Sequence, residues 1–265
     1  MNVISSAKTT VLGVQLEVQQ IAGPSDRPTL VFLHEGLGSV ALWRDWPQQL
    51  CQALRLAGLV YSRQGYGHSS TRPDVRGSGR LQADYMHREA LQVLPDLLRT
   101  LGIERPIVLG HSDGGTIALL HAAHHPVAAC IVMAPHVVVE DISVSAITAA
   151  REAYAQGPLR ARLAPFHADV DCAFWQWNDI WLSEVFRNYD IRGEIAAIAA
   201  PLLAIQGEDD PYGTMAQIDE TAVAVPHARL VKLAQCGHSP HRDQPEAVVQ
   251  AIETFLSGSS GQARG

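Results

Sequence analysis

Residues 108–119, "VLGHSDGGTIAL", restrict what this chain can fold into more than any other stretch. A short apolar run leads into Gly110-His111-Ser112-Asp113-Gly114, and a helical pattern follows. A strand that turns at once into a helix crowds its own backbone, so glycine is needed where a side chain would clash. Such a turn pushes Ser112 into the open, close to the positive end of the following helix. The stretch therefore implies a strand–turn–helix unit that presents a serine hydroxyl as a nucleophile.

The surrounding sequence supplies the sheet that such a turn requires. "TLVFL" (29–33), "GLVYS" (58–62), "PIVLG" (106–110), "CIVMA" (130–134), "LLAIQ" (202–206) and "RLVKLA" (229–234) read as strands buried on both faces. "VLGVQLEVQQIAG" (11–23) alternates with period two and reads as one or two strands. Helical patterns lie between them, including one from Asp84, as N-cap, to Gly102, as the glycine that ends it. This order predicts an α/β fold: a doubly wound, mostly parallel sheet of about eight strands. The alternation fails between 137 and 200, where two candidate helices and three tryptophans appear without a convincing strand. The expected organisation is a core of 1–136 and 201–257, a helical cap insertion at 137–200, and a disordered tail at 258–265.

Composition narrows the function classes. With 47% hydrophobic and 18% charged residues the chain suits an ordinary globular protein. A net charge of −7 without a basic run argues against nucleic acid or an anionic membrane as partner. No apolar stretch approaches the roughly 18 residues a membrane span needs, and no secretory signal precedes the first strand, so a cytoplasmic location is the default expectation. The four cysteines are widely spaced and read as buried small hydrophobes rather than as disulfides or metal ligands. His121 and His125 stand one helical turn apart, but no third ligand supports them, and they read as a solvated helix end. Neither a metal nor a cofactor is expected.

A serine hydroxyl needs a base, and the base needs a carboxylate to fix its tautomer. "QCGHSPHRDQPE" offers His238, just after a strand, as the base, with His241 as a loop or supporting residue. "GEDDPYG" offers Asp210 as the acid, with Asp209 as its rival. The resulting order along the chain is Ser112, Asp210, His238.

With these residues in place, the chain resembles the α/β-hydrolase fold family over nearly its full length. The resemblance rests on "HEGLGS", "SRQGYGHS", "GHSDGG", "GEDD" and "CGHSPHRDQPE". It departs at Ser62, where the family usually has Asp. It implies a serine hydrolase without a cofactor, with an oxyanion hole built from the backbone N–H groups of Gly36 and Asp113. Gly36 lets the backbone approach a substrate, and Asp113 begins a helix, so the residues themselves suit that role.

Six residues are candidates for contacting a small-molecule substrate with an apolar or aromatic group: Glu35, Leu37, His111, His136, Trp177 and Trp181. Trp177 and Trp181 share a helix face and either pack the cap on the core or line the pocket. His136 could line the acyl pocket, donate a hydrogen bond, or anchor the cap. Arg63 is either a buried brace between loops or a binder of a substrate carboxylate. Glu35 is the anomaly, because a carboxylate facing an oxyanion opposes catalysis. Its side chain is expected to point away and pair with Arg63 or Arg44, or else to meet a substrate hydroxyl or amine, or to act as a second acid or base. The functional expectation is hydrolysis of a small carboxylic ester or lactone through an acyl-enzyme on Ser112. Carbon–carbon bond hydrolysis of ring-cleavage products, peptidase activity on small substrates, and a slow-turnover ligand-binding protein are the alternatives.

Overall fold

The computed structural model describes residues 4–259. Eight strands form one sheet: β1 (Ile4–Val11), β2 (Val14–Ile21), β3 (Leu30–Leu33), β4 (Gly58–Tyr61), β5 (Ile107–His111), β6 (Ala129–Met133), β7 (Leu202–Gly207) and β8 (Arg229–Leu233). Their spatial order is β1-β2-β4-β3-β5-β6-β7-β8, with β3 to β8 parallel and β1 and β2 antiparallel. The helices are α1 (Trp46–Leu54), α2 (Tyr85–Arg88), α3 (Leu94–Thr100), α4 (Asp113–His124), α5 (Asp141–Gln156), α6 (Leu159–Leu163), α7 (Val170–Trp181), α8 (Arg192–Ile195), α9 (Ala216–Ala224), α10 (Pro240–Asp243) and α11 (Pro245–Ser259).

Alternate residues of the central strands feed opposite cores. Leu30, Phe32 and Ile131 pack with Trp46 and Leu50 of α1 and with Val248 and Ile252 of α11. Val31, Leu33 and Val132 pack with Ile117 and Leu120 of α4 on the other face. Strands covered on both faces must be apolar throughout, which is why these runs lack a polar alternation. The outermost strand is different. β8 was expected to be buried on both faces, but it closes the parallel edge of the sheet and exposes Arg229 and Lys232. Lys232 pairs with Asp219 at 2.7 Å, and such charges discourage edge-to-edge association.

At the opposite edge, β1 and β2 form a hairpin whose two turn residues, Leu12 and Gly13, both have positive φ (48° and 80°). The helix expected over 84–102 is interrupted. A π turn, Glu89–Val93, joins α2 to α3 where Pro95 removes an N–H and crowds the preceding turn. Asp84 holds the N-cap position without a side-chain hydrogen bond, and Gly102 follows the last turn at φ 69°.

Between β6 and β7 the chain forms α5 to α8, with one isolated bridge between Val138 and Asp190. α11 continues through Ser259, two residues into the expected tail, and 260–265 lie outside the described residues. The four cysteines are buried and unbridged. His121 is also buried, not solvated as expected: its Nδ1 meets the Ala90 carbonyl at 2.9 Å and its ring stacks on His125. Among the described residues no helix is long and apolar enough to cross a membrane, and no group of three or more His, Cys, Asp or Glu side chains could hold a metal ion.

Candidate active site

Ser112 sits between β5 and α4 with φ 54° and ψ −120°, a conformation L-residues rarely adopt. The flanking glycines make the turn possible. A Cβ on Gly110 would lie 2.0 Å from the Gly114 carbonyl oxygen, and one on Gly114 would lie 2.0 Å from that of Leu33. The Ser112 N–H donates to Met133 O at 2.9 Å, fixing the turn to β6. Met133 begins the loop that carries His136, which is held in turn by Thr116 of α4. The Thr116 hydroxyl meets both the His136 N–H (3.0 Å) and its carbonyl (2.9 Å).

The loops after β7 and β8 meet beside this turn. A Cβ on Gly207 would lie 2.2 Å from Cys236 O, and Asp209 N–H donates to the same carbonyl at 2.9 Å. Asp210 is thereby turned inward while Asp209 stays exposed. Both Asp210 carboxylate oxygens contact His238 Nδ1, at 2.9 and 2.8 Å. The Tyr212 N–H (2.7 Å) and Gln206 Nε2 (2.8 Å) donate to the same carboxylate. Burial alone would raise the Asp210 pKa, but the hydrogen bond and charge of His238, with the Tyr212 N–H, bring it below the usual carboxylate value.

A cavity of about 160 Å³ brings the sequence candidates together: Glu35, Gly36, Leu37, His111, Ser112, Asp113, His136, Trp177, Trp181 and His238 all line it, with Asp210 behind His238. Among the described residues no hydrogen bond joins Ser112 to His238; they face the same cavity, and such contacts often tighten when substrate binds. Gly36 is pressed against Trp177, whose Nε1 would lie 2.2 Å from a Cβ there. The Asp113 side chain turns down into the protein, where Tyr85 Oη donates at 2.6 Å, Trp181 Nε1 donates at 3.2 Å and Arg63 lies at 3.8 Å. Burial pushes the Asp113 carboxyl up, with Arg63, Tyr85 and Trp181 pulling against it. Trp181 thus does more than supply apolar surface: its indole N–H anchors the insertion to the start of α4.

Arg63 donates to the carbonyls of His34 (2.6 Å) and Glu35 (3.1 Å) and lies over the Tyr66 ring, in the position of a buried brace. That consumes its fork and leaves it no grip on the Glu35 carboxylate, so the pairing expected with Arg63 or Arg44 does not occur. Glu35 instead stays in the cavity wall. Its Oε2 lies 3.6 Å from His111 Nδ1, and its Oε1 lies 3.5 Å from Arg242. Gly38 makes room, since a Cβ there would lie 2.5 Å from Oε2. Burial would raise the Glu35 pKa, but His111 beside it and the charge of Arg242 hold it well below the usual range. His111 Nε2 in turn meets the backbone carbonyl of His238 at 2.6 Å.

The other histidines are set by burial. His136 packs edge-on against Trp181, 4.9 Å between centroids, and burial, followed by the charge of His238, pushes its pKa down to about 3. His241 packs against the stacked pair Trp43 and Trp46 with both ring nitrogens lacking a hydrogen-bond partner, and burial pushes its pKa down to about 2. Sequence reasoning missed Tyr212, Ile147 and Ser239, which line the cavity, and Tyr85, which holds Asp113. Tyr212 stands within "GEDDPYG" and could have been read from that loop; Tyr85 lies 28 residues from its partner without a motif.

The sequence over residues 30–251 matches the family model described as "Alpha/beta hydrolase family". Human "Serine hydrolase BPHL" is 27% identical over 262 residues, covering 96% of this chain and 87% of that protein. "Esterase YbfF" of Escherichia coli is 28% identical over 211 residues, covering 72% of this chain and 83% of the other. The crystal structure of an enol-lactonase from Burkholderia xenovorans superposes with a TM-score of 0.73 at 19% identity, covering 95% of this chain and all of that one, a likeness of fold. This chain belongs to the alpha/beta hydrolase family and is an enzyme of that family.

Proposed function

We propose that the protein is a cofactor-independent serine hydrolase that cleaves a small carboxylic ester or lactone through an acyl-enzyme on Ser112. The observation that carries this reading is the bidentate contact of Asp210 with His238 Nδ1 in the cavity that also holds the strained Ser112. Asp210 fixes the tautomer whose Nε2 lone pair is free, so Nε2 takes the Ser112 proton as Oγ attacks the substrate carbonyl. The oxyanion that forms accepts hydrogen bonds from the Gly36 and Asp113 N–H groups, each worth about 3 kcal/mol of barrier. His238 then returns the proton to the departing alkoxide as the carbon–oxygen bond breaks. A water, deprotonated by His238, releases the acid and restores Ser112.

The cavity limits the substrate. About 160 Å³ between Leu37, Ile147, Trp177 and Trp181 suits a short or monocyclic apolar group, and the α5–α8 insertion acts as its cap. The ionised Glu35 in the wall disfavours a second negative charge and favours an uncharged substrate or one bearing a hydroxyl or amine. The relatives named for serine hydrolase and esterase activity support the reaction class.

A fluorophosphonate probe should label Ser112 in the folded protein, and p-nitrophenyl acetate and butyrate should turn over faster than long-chain esters. Failure of labelling beside a reacting control hydrolase would overturn the serine mechanism and leave the ligand-binding reading. A labelled serine with background rates on esters and lactones would shift the assignment toward carbon–carbon bond or peptide hydrolysis.

A further inference from the structure

A second cavity, distinct from the site around Ser112, has Arg63 in its wall. Its volume is about 210 Å³, larger than the 160 Å³ around Ser112. Four guanidinium groups contribute to it: Arg63, Arg72, Arg80 and Arg88. One carboxyl, Glu89, stands among them. Arg63 is matched by Asp113 at 3.8 Å, and Arg80 shares Asp179 at 4.0 Å. Arg72 and Arg88 have no carboxylate within ion-pair distance among the described residues and act on Glu89 from farther off. The balance is an excess of positive charge in a concave, partly apolar setting, which concentrates anions.

The wall also departs from ordinary packing. Buried polar atoms are nearly always hydrogen-bonded. Here Tyr66 Oη, Arg72 Nε, Gln176 Oε1 and Glu89 Oε2 all lack a hydrogen-bond partner among the described residues. Tyr66 and Gln176 are 2% and 1% exposed. The π turn Glu89–Val93 contributes Glu89, Gln92 and Val93 to the same wall, and π turns inside helices recur at functional positions. Val14 and Leu16 of β2 with Leu81 and Val93 add aliphatic surface to the same lining.

We propose that this cavity binds a small organic monocarboxylate, its charged end toward Arg72 and Arg88 and its apolar body against Leu16, Leu81 and Val93. Guanidinium groups match a carboxylate geometrically, while the aliphatic surface rewards a hydrocarbon body that inorganic phosphate lacks. The location links occupancy to the catalytic side, because Arg63 also holds the His34 and Glu35 carbonyls and Tyr85 also holds Asp113.

Calorimetric titration of the full-length protein with benzoate, benzyl alcohol and inorganic phosphate tests the proposal without reference to turnover. Benzoate should bind once per chain and weaken as salt is added, and benzyl alcohol should bind at least about tenfold more weakly. The half-buried and exposed positions of Arg72 and Arg88 tolerate exchange, so the double variant Arg72→Gln, Arg88→Gln should keep its circular dichroism and melting temperature yet lose about tenfold or more in benzoate affinity. Leu81→Trp, which fills this cavity and not the one around Ser112, should abolish binding. Retained affinity in a folded form of either variant would overturn the proposal. Phosphate binding without benzoate binding, or silence toward benzoate up to about 10 mM, would overturn it as well.

Discussion

Two carboxylate–histidine pairs flank Ser112, and they differ in the way that would set the proposed base apart from a supporting residue. Asp210 holds His238 Nδ1 with both oxygens at 2.8 and 2.9 Å, and its side chain is 1% exposed. Glu35 stands 3.6 Å from His111 Nδ1, its side chain is 16% exposed, and Arg242 shares its charge. In the first pair the second ring nitrogen is left to face the cavity. In the second, Nε2 is already committed to the carbonyl of His238 at 2.6 Å. His111 Nε2 therefore has no lone pair to offer Ser112, and its neighbour Glu35 lies beside the loop that carries the proposed base. Similar residues reach different roles through what their far nitrogen touches.

The largest test of this contrast is loss of the first carboxylate. Asp210→Asn keeps the size of the side chain but can donate to Nδ1, which favours the wrong tautomer and leaves Nε2 protonated. Turnover of a p-nitrophenyl ester should fall by about 10⁴-fold with little change in KM. A fall of less than tenfold would mean that another group orients His238.

Glu35→Gln should act less strongly and on a different observable. Losing the charge beside His111 and Arg242 should lower turnover by about tenfold or less while costing about 1–2 kcal/mol of stability at neutral pH. The stability difference should also depend on acid. The native Glu35 pKa is lowered, so its contribution is complete above the ordinary carboxylate value of 4.5 and is lost as pH falls through the native one. Melting curves of the wild type and Glu35→Gln should therefore converge as the buffer is taken below about pH 4. A drop in turnover matching that of Asp210→Asn would instead make Glu35 a reacting group.

The sequence made one of these pairs far more legible than the other. Ser112, Asp210 and His238 each lie in the loop after a parallel strand, and local glycines mark the turns, so position along the chain conveys position in space. The direction of Glu35 depends on Arg242, 207 residues away, and on a guanidinium at Arg63 already spent on carbonyls. β8 shares the aliphatic residues of a buried strand, but its Arg229 and Lys232 suit the sheet edge it forms, and edge or centre is decided by the order of the whole sheet. The π turn follows from Pro95, which the helical periodicity alone had concealed. The second cavity draws on β2, the loops at 63–66 and 72–82, and α7, so no contiguous motif announces it.

His241 extends the contrast, as a histidine with no carboxylate pair. Its two unpartnered nitrogens, buried against the stacked Trp43 and Trp46, make the charged ring far costlier than the neutral one. A native pKa lowered from 6.5 to about 2 means that stability is complete above 6.5 and declines as pH falls below it. His241→Phe should remove that component. The variant should be at least as stable as the wild type at neutral pH, by about 1 kcal/mol or less, and should melt at a visibly higher temperature near pH 5. An unchanged acid slope would show that the ring finds a partner on protonation.

The smallest expected effect is at Asp209, and it sharpens the choice between neighbouring acids. Asp209 is exposed, and its N–H, not its carboxylate, ties the acid loop to Cys236. Asp209→Asn leaves that N–H in place, so kcat/KM should stay within about twofold and stability within about 0.5 kcal/mol of the wild type. Its charge would be felt by His238 only across solvent, where screening at about 0.15 M salt leaves little. A modest loss that disappears when salt is raised would fit this long-range effect. A salt-insensitive loss near that of Asp210→Asn would instead place Asp209 on His238 in the working enzyme, and the two acids would have to exchange roles as the loop moves.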